Sequence, residues 1–194
     1  MKAGRVEISP GFLLLAAWLN YVDQQGIFLC TMISCVVHEL CHLVVLRLQG
    51  VPVRYLRLTA VGAEICVDGT MSYRGEMAAA LAGPMGNLVL AWAASRIAGG
   101  WLFAGVNLAL GLFNLIPIGR LDGGRFVCCL CSFLFGPEWG EWGSGMLSGV
   151  CLIALCGVGV WCFRQAGNLT LLLISLWMIG SLKDIPGYWG KRKK

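Results

Sequence analysis

Charge is what this chain has least of. Only 13% of its 194 residues are charged and 58% are hydrophobic, where a soluble domain carries roughly a quarter charged residues. That scarcity excludes an ordinary soluble domain. Histidine is scarcer still, at two residues, and acidic residues number ten, so metal or acid–base chemistry has few places to sit. No internal repeat, low-complexity segment or linker breaks the chain, which reads as a single domain over residues 1–194. The ten cysteines supply no zinc pattern: Cys128-Cys129-x-Cys131 lacks a companion histidine. Most of them lie in apolar runs as small hydrophobes, and no paired spacing suggests a disulfide. The net charge of +5 forms no basic patch on a soluble domain, which argues against nucleic acid as a partner.

What is present is a series of apolar runs that read as membrane helices, the first of them short for a span, so that the bilayer would have to thin around it. They cover Phe12–Val22, Ile27–Leu48, Glu76–Ile97, Trp101–Ile118, Met146–Phe163 and Leu169–Leu182. The expected fold is an all-α polytopic membrane protein with about six transmembrane helices and the lipid bilayer as its surroundings. Phe126–Phe135 is apolar but too short to span, and Gly136–Gly145 reads as a polar, Gly-rich loop. Val51–Leu58 and Ala63–Gly69 are β-branched and partly alternating, which predicts a small β hairpin or sheet after the second helix. With six spans and an inner N-terminus, 13 of the 15 basic residues fall on the inner side, including the tail Lys191–Lys194; only Arg96 and Arg164 fall outside. That asymmetry places both termini in the cytoplasm.

The second run holds His38-Glu39-Leu40-Cys41-His42, which contains both histidines of the chain. Residues four apart share a helix face, so His38 and His42 can hold one metal ion between them. Glu39 is rotated off that pair but within reach of a water at the metal. A chance match on a packed helix is the bland alternative. Against it stands the cost of a carboxylate at membrane depth with no nearby Lys or Arg.

A hydrolytic zinc has three protein ligands and one open position. Among the acidic residues, only Glu39 and Asp122 lie away from span ends and loops. Asp122 stands where Gly123-Gly124 interrupts an apolar stretch, which makes it the best third ligand; capping the following helix is its other reading. Asn114, followed by Leu115-Ile116-Pro117, brings an amide into an apolar run. It either contacts a substrate peptide or bridges two helices. Asn87, at the end of Ala82-Gly83-Pro84-Met85-Gly86-Asn87, carries the same two readings.

These elements, in this order over roughly residues 36–125, resemble the intramembrane site-2 metalloproteases. The likeness rests on His38–His42, on Ala82–Asn87, and on Asn114-Leu115-Ile116-Pro117-Ile118-Gly119-Arg120-Leu121-Asp122-Gly123-Gly124. It departs at Cys41, where glycine is usual, and at Gly119, where proline is frequent. The resemblance implies a Zn2+ cofactor with His38, His42 and Asp122 as ligands and Glu39 as catalytic acid/base. It also implies a six-helix membrane core, Asn114 near the site, and strands that receive a membrane-associated protein substrate. The short form, without a PDZ insertion or appended regulatory domain, looks most like the stage IV sporulation proteases, which cleave a sigma-factor precursor at a bacterial cell membrane. A membrane regulatory protein or a second copy of the chain stays open as a partner. A catalytically silent membrane scaffold and a metal-binding membrane protein are the competing classes. The first would not need Glu39, and the second would show acidic or His residues along several spans.

Overall fold

The apolar runs become helices in the computed structural model, which describes residues 5–59, 62–119 and 121–181. In order these are β1 (Arg5–Ile8), α1 (Pro10–Val22), α2 (Ile27–Leu48), β2 (Val53–Thr59), β3 (Gly62–Val67), α3 (Tyr73–Ser95), α4 (Trp101–Asn114), α5 (Asp122–Phe135), α6 (Pro137–Ala166) and α7 (Thr170–Ser181). Lys2, Arg120, Lys183 and the basic tail Lys191–Lys194 lie outside the described residues.

Three helices, α2, α3 and α6, are long and apolar enough to cross a membrane; Pro10–Val22, Trp101–Asn114 and Thr170–Ile179 are shorter apolar helices. The fourth run stops as a helix at Asn114 rather than at Ile118, because Pro117 disfavours helical backbone before it and cannot donate a helical hydrogen bond. The stretch Gly136–Gly145, expected as a loop, is helical: α6 begins at Pro137. Proline at the first helical position and an acid, Glu138, in the first turn are start signals. The glycines there serve packing instead of turning. A Cβ on Gly140 would collide with the Ser132 hydroxyl and meet the Cys128 carbonyl oxygen at 2.9 Å.

The described residues form two compact units. The first holds the sheet, α1, α2, Leu81–Ser95 of α3, and α4 as far as Phe113. Its α2 is inside out by soluble standards. Ser34, His38, His42 and Leu46, spaced by four, form the buried face, while Ile33, Val36, Leu40 and Val44 are exposed. A helix that buries polar groups and exposes aliphatic ones is suited to lipid. Ahead of it, Asp23 accepts from the backbone N–H of Phe28 at 2.8 Å and of Gln25 at 3.1 Å. These bonds hold its carboxyl below the usual range, the Phe28 bond contributing most.

The sheet of the first unit has the order β1-β2-β3. The β2–β3 hairpin matches the expected strands, running antiparallel from Val53↔Val67 to Thr59↔Gly62. The third strand, β1, was not expected. It pairs parallel to β2 from Arg5↔Tyr55 to Ile8↔Leu58, with Glu7 and Arg57 ion-paired at 2.8 Å across the pair. β2 is therefore the central strand, paired on both sides, and among the described residues no strand pairs with the far side of β3.

The second unit holds Ser72–Ala80 at the start of α3 and the described chain from Asn114 onward. Here α6 packs against both α5 and α7. Cys129 of α5 donates its thiol to the buried Glu76 carboxylate at 3.0 Å, and all ten cysteines are free.

Candidate metal centre

The two histidines lie in the first unit. Helical spacing brings the Nε2 atoms of His38 and His42 within 3.1 Å of each other, the rings nearly perpendicular at 79° with centroids 4.7 Å apart. Both residues are buried. Two nitrogens bound at about 2.0–2.1 Å to one tetrahedral zinc stand roughly 3.3 Å apart, so the pair has the spacing of a shared ion. Gly83 of α3 leaves the room. A Cβ there would overlap His42 Nε2 and stand 2.7 Å from His38 Nε2, so only glycine fits against both rings. Glu39, half-buried, follows His38 on the same helix. The donor set and the bare backbone at Gly83 fit a metal ion.

On its other edge, His38 Nδ1 lies 2.6 Å from Asn87 Oδ1. Asn87 is fully buried. Its Nδ2 donates to the Ser34 carbonyl of α2 at 3.2 Å and to Asn107 Oδ1 of α4 at 2.8 Å. With its amide engaged on three sides and no exposed surface, Asn87 fits the reading as a bridge between helices better than that of a peptide contact. Asn107 escaped the sequence reading. Its signal was there, an amide in the middle of a short apolar helix, but nothing in the sequence pairs it with Asn87. Cys41, the departure beside His42, has its sulfur against Gly86, where any Cβ would collide with it.

Asp122 belongs to the second unit, where it is the buried first residue of α5. The cap position is Leu121, with no side-chain cap bond, and Asp122 is the acid of the first turn. Its carboxylate lies 3.9 Å from the Arg125 guanidinium. Gly123 and Gly124 are required by close approach: a Cβ on either would run into the backbone of Leu115 or Ile118. The turn before Asp122 is also pinned by Ser148 of α6. The Ser148 hydroxyl accepts from Gly119 N–H at 3.1 Å and lies 2.7 Å from the Ser144 carbonyl oxygen and 3.2 Å from that of Pro117. Asn114, half-buried, is the last residue of α4.

No protein-family model matches the chain. It is 37% identical over 132 residues, 60% of its length, to the Mycobacterium tuberculosis protein Rip3, whose name assigns it to the zinc metalloproteases. It is 28% identical over 128 residues to zinc metalloprotease MJ0392 of Methanocaldococcus jannaschii, and 26% identical over 138 residues to stage IV sporulation protein FB of Bacillus subtilis. The matches cover 60% and 66% of this chain. The chain spans 33%, 38% and 48% of the length of these three relatives. Among solved structures, the site-2 protease from Methanocaldococcus jannaschii has the same fold, with a TM-score of 0.71 at 21% identity, covering 97% of this chain and 94% of that one. Three helices suited to crossing a membrane, the shared fold and these relatives together make this an integral membrane protein. In sequence the chain is similar to zinc metalloproteases, and in fold to a site-2 protease.

Proposed function

We propose that this chain is an intramembrane zinc metalloendopeptidase that hydrolyses peptide bonds of membrane-associated proteins. The observation that carries the reading is the pair of buried imidazole nitrogens 3.1 Å apart, facing a glycine that leaves room for an ion. His38, His42 and Asp122 would hold the zinc, the ligand set that the motif resemblance implies. Zinc, when bound, supplies Lewis acidity, which polarises a carbonyl and brings the acidity of water near neutral.

The remaining work falls to the protein. Glu39, one residue from His38, takes the proton from the attacking water and passes it to the leaving amine. Asn87 holds His38 by its Nδ1 edge. Asn114, in the same motif as Asp122, contacts the substrate backbone. A helical substrate hides its peptide bonds, so it must unwind. The far side of β3 offers backbone groups to hold it extended. The motif resemblance to the stage IV sporulation proteases makes a sigma-factor precursor one candidate substrate of this kind.

We place six spans in the bilayer, α1, α2, α3, α4, α6 and α7, matching three long and three shorter apolar helices. The 13-to-2 split of basic residues puts both termini in the cytoplasm of a bacterial cell membrane. Reporter fusions at Gly167 and at residue 194 should then report opposite sides, and the same side for both would refute the six-span arrangement. The ligand set is tested by metal analysis. His38→Ala, His42→Ala and Asp122→Ala should each lose zinc that the parent binds at one equivalent; parental zinc in all three would overturn the assignment.

A further inference from the structure

The hydrogen bonds around His38 have a direction, and two backbone carbonyls set it. A carbonyl oxygen can only accept. The Phe103 carbonyl, 2.9 Å from Asn107 Nδ2, fixes which end of the Asn107 amide carries the nitrogen. Rotated the other way, that amide would press oxygen against oxygen. Asn107 Oδ1 therefore faces Asn87, whose Nδ2 donates to it at 2.8 Å and to the Ser34 carbonyl at 3.2 Å. Both hydrogens of Asn87 Nδ2 are engaged by acceptors, so its Oδ1 must face His38 Nδ1, at 2.6 Å. An acceptor there requires a proton on Nδ1. The neutral ring then keeps its lone pair on Nε2, the atom that faces His42.

We propose that Asn107 is a positioning residue for the metal site: through Asn87 it fixes His38 in the tautomer protonated at Nδ1, leaving Nε2 free to bind metal. It touches neither ion nor substrate. Asn87 and Asn107 are both 0% exposed, with no water-facing edge to relax into, so each amide keeps the orientation its neighbours impose. The Ser34 carbonyl acts on Asn87 in the same sense but at the longer distance, and it leaves one hydrogen of Asn87 without an acceptor when Asn107 is replaced. Outer partners of this kind commonly govern metal affinity by about ten- to a hundredfold. The inference rests on the reading of His38 as a metal ligand.

The test uses the full chain in detergent or nanodiscs, with zinc affinity from chelator competition. Histidine-labelled 15N NMR of metal-free protein is the second readout. With only two histidines in the chain, both rings are separately assignable. Asn107→Leu removes the acceptor while keeping size. Asn107→Ser can satisfy itself against the Phe103 carbonyl but is too short to reach Asn87, so it covers the case in which the leucine variant does not fold. Asn107→Asp, neutral when buried, can accept from Asn87 and donate to Phe103 as asparagine does. The expected result is a fall in zinc affinity of about ten- to a hundredfold for Leu and Ser, a loss of the protonated His38 Nδ1 signal, and parental behaviour for Asp. Parental affinity and an unchanged Nδ1 signal in Leu or Ser would overturn the proposal. So would an Asp variant as impaired as Leu, which would mean that only packing matters. Parental zinc in His38→Ala would instead overturn the metal-ligand reading, and the NMR of metal-free protein would still decide the role of Asn107.

Discussion

Gly83 of α3 stands so close to His42 of α2 that a Cβ on it would overlap the Nε2 atom of that ring. The same carbon would sit 2.7 Å from His38 Nε2, so the bare backbone at Gly83 is what lets both rings stand together. Gly83→Ala should express and insert normally yet lose at least about tenfold in zinc affinity, a perturbation comparable to loss of an outer-shell partner. Zinc titration of the purified variant checks this. Parental affinity would mean that the ion does not occupy the space in front of Gly83.

Ser148 ties α6 to the turn preceding Asp122 through Gly119 and Pro117. Ser148→Ala removes that tie at a cost of about 1–3 kcal/mol. The cost should appear as a lower unfolding midpoint and a slower cleavage rate, with the histidine ring signals unchanged. An unaltered midpoint and rate would show that the turn holds its shape without Ser148.

Much of this was legible in the sequence, and the exceptions share a cause. His38 and His42 are four apart on one helix, so period alone brings their nitrogens together. The β2–β3 hairpin follows from alternation that ends in Asp68-Gly69. What escaped depends on partners distant in sequence. β1 is four residues long, and its only mark is Val6 and Ile8 alternating with Glu7; its strand character comes from β2, some fifty residues on. Asn107 matters because α4 faces Asn87, which no local pattern encodes. Gly136–Gly145 misled because glycine serves loops and close helix packing alike, and only Ser132 opposite Gly140 tells them apart.

The sheet offers a test of substrate docking. β2 is paired by β1 and β3, so proline in β2 would break the sheet itself. On β3, Ala63 and Glu64 are successive residues, and one of them directs its N–H away from β2. Proline at that position removes one donor from the far side. It should slow cleavage while zinc content and expression stay parental. Full activity in the outward variant would move the docking site elsewhere, with Asn114 as the next candidate.

Asp23 gives a pH dependence of known sign. Its carboxyl is held below the ordinary value by the Phe28 N–H above all, so the folded state binds the proton less readily than the unfolded chain. The stabilisation is present above the unfolded carboxylate pKa, about 4, and is lost as pH falls through the lower folded value. Unfolding midpoints of parent and Asp23→Asn should therefore converge as pH falls from about 5 to about 3, the parent falling further. Parallel curves would remove Asp23 from the account.

The central claim is that Glu39 performs acid–base work at a zinc centre it does not build. Glu39→Gln keeps the size and removes the carboxylate. Purified in parallel, reconstituted into liposomes and mixed with a membrane-anchored peptide substrate, parent and variant should bind the same single equivalent of zinc, and only the parent should cleave. Cleavage by Glu39→Gln at the parental rate, with zinc in place, would contradict the account.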